Sequence, residues 1–488
     1  MSQTTSNNKR IAKNTLLLYF RMLLIMVVTL YMSRVVLEAL GVEDFGIYNV
    51  VGGVVSMLGI LSGTMSSAIS RFFTFELGKG DNEQLKRVFC SSVTIQLFLG
   101  LIVLIIAETL GLWFLNSKMN IPDNRIFASN WVFQFSVLTF LVNLLSAPYN
   151  AAIIAHERMT AFAYISIVEA VVKLSIAYLI TISPFDRLLF YALLMMLVSL
   201  LVRFCYTWYC KKHFEECNFH FLYDRLLLKK MFGFAGWNFI GASSAILRDQ
   251  GGNVLINVFA GPAVNAARGV AMQVSHAVLL FSQNFMTAVN PQITKNYANG
   301  NHEYMMTLIY QGARLSFYML LLLSLPLFLN TEYVLELWLK KVPEHAVLFT
   351  RLALAFAMSS CLSGPLITAM LATGKIKNYQ LVVGGLQMLN MPISYLFLRF
   401  GFIPEVVAVV AVAVDQCCMF ARVFMLQKMI HIDIKKFYKN VFFNAIIVAI
   451  IASVVPFAIK ISLSETFSSN NFSMPALVRI DSNNKSVR

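Results

Sequence analysis

Along the chain, polar and charged positions gather at intervals and leave long stretches in which almost every residue is apolar. Thirteen such runs stand out, at about residues 14–35, 46–69, 88–114, 128–152, 161–182, 187–209, 233–257, 263–289, 306–329, 346–371, 379–399, 403–426 and 440–462. Crossing ~30 Å of hydrocarbon at about 1.5 Å per helical residue takes about 20 residues, which these runs supply. A membrane β-barrel would instead show shorter segments alternating between lipid-facing and lumen-facing positions. The runs therefore predict helices. The first ten residues are polar, no small-residue cleavage pattern follows, and the first run is longer than a signal-peptide core, so it reads as a retained first helix.

The pattern occurs twice. An offset of 220 residues lays Leu40-Gly41 on Ala260-Gly261, and SAISRFFTFELGKGD (67–81) on TAVNPQITKNYANGN (287–301). A second anchor, Ser146-Ala147-Pro148 against Ser363-Gly364-Pro365, keeps a spacing of 217 and sets Arg158 against Lys375. An even number of helices separates the halves, so both have one orientation and are parallel repeats about an axis along the membrane normal. The expected fold is an all-α polytopic membrane protein: two parallel-repeat six-helix bundles around a central cavity, plus one extra C-terminal helix. The expected parts are an N-terminal lobe (1–210), a linker (211–230), a C-terminal lobe (231–427), an additional helix (428–463) and a polar, disordered tail (464–488). Within the linker, the amphipathic stretch from Phe219 to Lys230 would suit a membrane surface with anionic lipid heads.

Composition removes other classes. With 58% hydrophobic and 13% charged residues and a mean hydropathy of +0.69, the chain cannot present an ordinary water-soluble surface. A net charge of +15 raises nucleic acid as a partner, but its placement argues against one. With the N-terminus inside, 23 Lys and Arg fall in inner segments and 7 in outer ones, so the basicity is largely a topology signal that puts the N-terminus in the cytoplasm. Among seven cysteines, Cys90, Cys205, Cys361, Cys417 and Cys418 lie in or beside apolar helices, where a thiol behaves as a small hydrophobe. Cys210, His213, Cys217 and His220 could be written as zinc ligands, but their spacing matches no common structural site, and no metal is expected.

Several stretches carry a family resemblance: Ser33-Arg34 leading to Leu40-Gly41-Val42-Glu43-Asp44-Phe45-Gly46-Ile47-Tyr48, then Leu77-Gly78-Lys79-Gly80-Asp81. QGGNVLIN (250–257) running into Phe259-Ala260-Gly261-Pro262, and Asn290-Pro291-Gln292-Ile293 followed by Tyr297-Ala298, complete them. Together they resemble the polysaccharide transporter branch, the O-antigen and capsule repeat-unit flippases, of the multidrug, oligosaccharidyl-lipid and polysaccharide exporter (MOP) superfamily. The resemblance covers about residues 10–430 as a set of weak motifs. It implies two six-helix bundles around a cavity that opens to either side in turn. Members commonly have twelve or fourteen helices, and here a fourteenth is missing.

Ionisable residues deep in apolar runs are the candidate functional groups, since each costs about 2.5 to 3.5 kcal/mol when it faces lipid. Arg21 lies in the first run, and Arg248 and Asp249 lie mid-run just before Gly251-Gly252, a pair that could loosen the helix. Side chains one residue apart point about 100° apart, so Arg248 and Asp249 need not pair. Arg268 follows, with His276 eight residues on and near the same face; Arg34 and Arg314 lie nearer run ends, where interfacial anchoring competes with substrate contact. A guanidinium grips phosphate or carboxylate with paired hydrogen bonds, so Arg21, Arg34, Arg248 and Arg268 are the substrate-binding candidates and favour an anionic cargo. Asp249, Asp415, Glu108, Glu169 and Lys173 are the coupling candidates for a proton or sodium ion; Glu169 and Lys173, four apart, also suit a salt bridge.

The resemblance names the cargo class as lipid-linked oligosaccharide. The expected function is a flippase for undecaprenyl-pyrophosphate-linked repeat units in the bacterial inner membrane. Its partners would be membrane lipids and the polysaccharide polymerase and chain-length machinery, with no nucleic acid and no cofactor beyond the coupling ion. The alternative is a cation-coupled multidrug exporter of the same superfamily, which would want acids and aromatics in its cavity. An enzyme is not expected: the loops are short, with no Walker lysine motif, no paired-carboxylate loop and no nucleophile-base set.

Overall fold

The structure, a computed structural model, describes residues 2–469 apart from 57, 58, 120, 184, 221, 223, 340 and 341. Its helices in chain order are α1 (Ser2–Ser56), α2 (Gly59–Lys79), α3 (Asn82–Ile106), α4 (Leu112–Lys118), α5 (Ile126–Ala155), α6 (Met159–Thr181), α7 (Arg187–His213) and α8 (Arg225–Ala298). After them come α9 (His302–Leu329), α10 (Thr331–Leu339), α11 (Ala346–Cys361), α12 (Gly364–Thr373), α13 (Lys377–Met388), α14 (Asn390–Arg399), α15 (Val406–Ile430), α16 (Ile434–Phe437) and α17 (Asn444–Ser469). No β-strand occurs among the described residues. The protein is an all-α, multi-pass membrane protein. Nine helices among the described residues are long and apolar enough to span a bilayer, and the bent pair α11 and α12 makes a tenth. The remaining predicted runs are helical too, in the second arm of α1 with α2 and in the two arms of α8. Large apolar side chains such as Leu322, Phe204 and Leu16 stand exposed on these helices, as a hydrocarbon solvent permits.

The duplication is visible in the backbone. Continuous helix fails at Gly41 (φ 78°) in α1 and at Gly261 (φ 85°) in α8, the two positions aligned at 220 residues. Both φ values lie where only glycine is at ease, so each marks a break between the first two membrane helices of a half. The same offset pairs Gly80 with Gly300, both at positive φ, where the next helices end. The offset of 217 pairs Glu157 (φ 58°) with Gly374 (φ 73°). Buried cores repeat as well: Ile47, Val51 and Leu115 belong to one cluster, and their counterparts Ala267, Ala271 and Leu335 to another.

Helix starts follow acidic caps. Asp81, Asp186, Asp224 and Asp433 each accept from backbone amides two or three residues on, satisfying donors that a helix N-terminus leaves open. Asp224 starts α8 late, so the amphipathic stretch is helical only from Arg225 onward among the described residues. The run at 346–371 is not one straight helix. It bends by 41° between Cys361 and Gly364, where Pro365 lacks an amide donor and disfavours helical backbone in the residue before it. Gly251-Gly252 does not loosen α8, which stays helical there. At the C-terminus, α17 runs through Ser469, and the rest of the predicted tail lies outside the described residues.

By its internal contacts the chain forms two compact units. The first runs from the N-terminus to Ala242 and includes Thr287–Met305 and Leu371–Lys377; the second holds Ser243–Met286, Met306–Met370 and the chain from Asn378 onward.

Candidate substrate sites in the two units

In the second unit, α8 brings Arg248, Asp249 and Arg268 to one pocket, with walls from α11, α14 and α15 that include Phe356, Met391 and Val407. Arg248 and Asp249 do pair, although their helical directions do not require it. The long arginine stem folds back, so Nε and Nη2 donate to the two carboxylate oxygens at 2.9 and 3.1 Å. The Arg248 guanidinium also lies 5.0 Å from the Phe356 ring centroid, a cation–π contact that helps hold it in an apolar surround. Arg268 is 9% exposed. Its Nη1 donates to Asn253 Oδ1, and Asn253 in turn donates to Gln250 at 3.1 Å. The glycine pair serves close packing. A Cβ on Gly251 would meet Met391 Sδ at 3.3 Å, and one on Gly252 would meet Arg268 Nη2 at 3.0 Å and Val407 at 3.3 Å.

The charge count of the lining is two cations and one carboxylate. One positive charge is therefore in excess, in a mostly apolar pocket where an anion would be strongly held. The open volume is about 50 Å³, room for a few waters, so a phosphate would enter only as the walls part. Gly252→Ala tests the packing without removing a functional group. The added methyl displaces the flexible end of Arg268, so we expect normal membrane insertion with transport reduced up to about a hundredfold, the cost of a misplacement near 1 Å. Surface-polysaccharide export by the variant, at matched protein level, measures this; unchanged export would mean that the position of Arg268 does not matter.

The first unit holds a larger cavity of about 380 Å³, lined by Arg21, Glu169 and Lys173. Glu169 and Lys173 form the predicted salt bridge, 2.6 Å long and one-third exposed on each side. The Arg21 guanidinium stacks 4.2 Å over Phe162. Its Nε is buried with no hydrogen-bond partner among the described residues.

The other predicted residues are placed differently. Arg34 is exposed and lines neither pocket. His276 is also exposed and does not continue the Arg268 stripe, because eight residues is more than two full turns and carries it around the helix. Glu108 lies in a π-helical turn (Ala107–Gly111) and accepts from Gln134 at 3.1 Å; no cation reaches it within ion-pair distance among the described residues. Asp415 is buried, accepts from Ser359 at 3.0 Å and lies 4.0 Å from Arg422, which donates to Ser363 at the bend between α11 and α12. Cys210 donates to the Tyr149 carbonyl at 3.4 Å and His213 bonds the Tyr209 carbonyl, so both have helix-bound roles.

Sequence reasoning missed a charged clamp in the first unit. Glu157, in the turn between α5 and α6, has a side chain only 2% exposed. Gln292 and Lys295, at the end of α8, donate to its two oxygens at 2.6 and 2.8 Å, and Arg10 Nε lies 3.0 Å away. Asn14 donates to its backbone carbonyl at 3.4 Å. At the equivalent turn, near Gly374, Arg71 donates to the Ala372 carbonyl at 2.9 Å and stacks on Phe72, Phe75 and Phe234. Next to the clamp, His156 and Glu216 are hydrogen-bonded at 2.6 Å. Burial acts to raise the Glu216 carboxyl, but bonds from His156 and its own backbone outweigh this and hold it below the usual carboxylate range. The Arg158–Lys375 anchor, one residue away, was the sequence signal that could have found these turns.

Two helical units, each with a charged pocket among helices long and apolar enough to cross a bilayer, define a polytopic membrane protein. Comparisons with known proteins agree. A family described as polysaccharide biosynthesis protein matches residues 9–297. The chain belongs to that family. It is similar to the uncharacterized membrane protein EpsK of Bacillus subtilis (strain 168), with 20% identity over 307 residues that cover 62% of this chain. That match spans 60% of the length of EpsK. Among solved structures, a MATE transporter in the bent conformation has the same fold, with a TM-score of 0.75 at 12% identity over 87% of this chain and 96% of its own. A MOP superfamily transporter from Pyrococcus furiosus gives a TM-score of 0.71 at 14% identity over 86% of this chain and 96% of its own.

Proposed function

We propose that the protein is a flippase that moves undecaprenyl-pyrophosphate-linked oligosaccharide repeat units across the bacterial inner membrane by alternating access, with its N-terminus in the cytoplasm. The observation that carries this reading is the second-unit pocket: two arginines and one acid, with Arg268 buried and its guanidinium only partly occupied by Asn253. The family supplies the saccharide, and the excess positive charge supplies a reason for a phosphate-bearing link. The sugar head crosses through polar surroundings while the polyprenyl tail stays in lipid, so no bond is broken. Asp249 is taken by Arg248, which leaves the pocket without the free acid that an organic cation would need and weighs against the multidrug alternative. A polymerase and chain-length machinery would act on the cargo after it crosses.

A coupling proton or sodium ion needs a carboxylate not already neutralised by a fixed cation. Glu169, Asp249 and Asp415 each have one nearby, at 2.6, 2.9 and 4.0 Å. Glu108 has none among the described residues and occupies a π-helical turn, a feature common at functional sites. The test is complementation of a bacterium lacking its own repeat-unit flippase, scoring surface polysaccharide. Wild type should restore it and Arg248→Ala should not; Glu108→Gln should export only weakly and lose its response to collapse of the ion gradient. Restoration by Arg248→Ala at full level would remove the anion-binding reading, and a gradient response retained by Glu108→Gln would remove Glu108 from coupling.

A further inference from the structure

The first-unit cavity has more room than a phosphate needs, and its lining is built for a different group. Glu169 is neutralised by Lys173 at 2.6 Å, so the charge left over is that of Arg21, whose buried Nε has no partner among the described residues. Around it stand the hydroxyl of Ser166, which donates to the Phe162 carbonyl at 2.9 Å, the mutually hydrogen-bonded hydroxyls of Tyr48 and Tyr191, and apolar walls that include Val28 and Met32. The Tyr48 and Tyr191 rings pack with centroids 4.7 Å apart and give one side a firm aromatic edge. A polyprenyl tail would leave Arg21 Nε without a polar partner, which is costly in an apolar setting. A lone phosphate would satisfy Arg21 and leave most of the 380 Å³ unfilled. The group that satisfies all of these features has one negative charge, several hydroxyls and an apolar ring face.

We propose that this cavity is a subsite for a carboxylate-bearing sugar ring. Arg21 holds the carboxylate, Glu169 and Lys173 take ring hydroxyls, and the apolar walls take the ring face. The proposal rests on the reading that the cargo is a lipid-linked oligosaccharide, and it adds that the repeat unit is acidic. Both units then have the same charge logic, two cations and one acid, with the second unit committed to the phosphate link and the first to a sugar acid.

The test is calorimetric titration of the full-length protein in lipid nanodiscs with glucuronate, glucose, acetate and inorganic pyrophosphate. Glucuronate is expected to bind about tenfold or more tightly than glucose or acetate, the scale of one charge-assisted hydrogen bond. Arg21→Gln should erase that preference, Arg21→Lys should keep part of it, and both should bind pyrophosphate as wild type does. Equal affinities for glucuronate and glucose, or a preference that survives Arg21→Gln, overturns the proposal. Acetate binding as well as glucuronate overturns it too, since the site would then recognise charge without sugar. Should Arg21→Gln not insert, the wild-type ranking alone decides. Pyrophosphate binding that depends on Arg268 while glucuronate fails would sink this proposal and leave the flippase reading intact; loss of pyrophosphate binding in wild type would sink that reading itself.

Discussion

Arg268→Ala is expected to abolish export of surface polysaccharide while the protein remains in the membrane at wild-type level. Arg268 is the buried cation of the second-unit pocket, and its one hydrogen bond shown to Asn253 leaves other guanidinium donors to face a ligand. Each hydrogen bond between this group and a phosphate is worth about 1.5–3 kcal/mol, so losing two costs about a hundredfold or more in affinity. Arg268→Lys retains the charge but not the planar fork, and should export at an intermediate level. The loss from Arg268→Ala should exceed that from Arg248→Ala, because Arg248 is already engaged by Asp249. Quantified polysaccharide at matched protein level settles the order. Full export by Arg268→Ala would show that the pocket does not hold the cargo.

The largest expected effect on stability belongs to Glu157. Removing one partner from a fully buried ion pair costs about 3–5 kcal/mol, and the half-exposed Arg10 brings the expected cost here below that range, since water can solvate it while Lys295 stays largely desolvated. Here Glu157→Gln would weaken the contacts to Arg10 and Lys295 together. A lower melting midpoint of the purified protein, and easier proteolysis near the α5–α6 turn, are the readouts. Glu157→Gly is the sharper variant. It relieves a left-handed backbone worth about 1–2 kcal/mol and should still be less stable than wild type, since the clamp outweighs that strain. A glycine variant as stable as wild type would show that the clamp contributes nothing net.

Much of the fold could be read from apolar run length, because a bilayer demands about 20 apolar residues per helix wherever the chain crosses. The repeat was legible for a different reason. Gly41, Gly261, Gly80 and Gly300 occupy backbone conformations that other residues avoid, so the duplication left them in place while side chains around them changed. The candidate site was only partly legible. Arg248, Arg268 and Arg21 stood out as charges in apolar runs and do line pockets, whereas Arg34 and His276 are exposed and line neither. On one sequence, an apolar helix gives no contrast between the side facing lipid and the side facing a neighbour. The Glu157 clamp joins residues more than 130 positions apart, so the repeat anchor at Arg158 could mark its turn but not its partners. By contrast Asp415 and Arg422, seven apart on one helix, lie on one face two turns apart, and their spacing could have paired them.

The sequence repeat and the contact units divide this chain along different lines. The repeat breaks near the linker before α8, yet the first unit keeps Thr287–Met305 and Leu371–Lys377 from the second repeat. A chain severed in the linker would give an N-terminal fragment without Gln292 and Lys295, and so with the Glu157 carboxylate buried and short of donors. The N-terminal fragment would then lack part of its own compact unit, and supplying the other fragment in the same membrane should be what restores it.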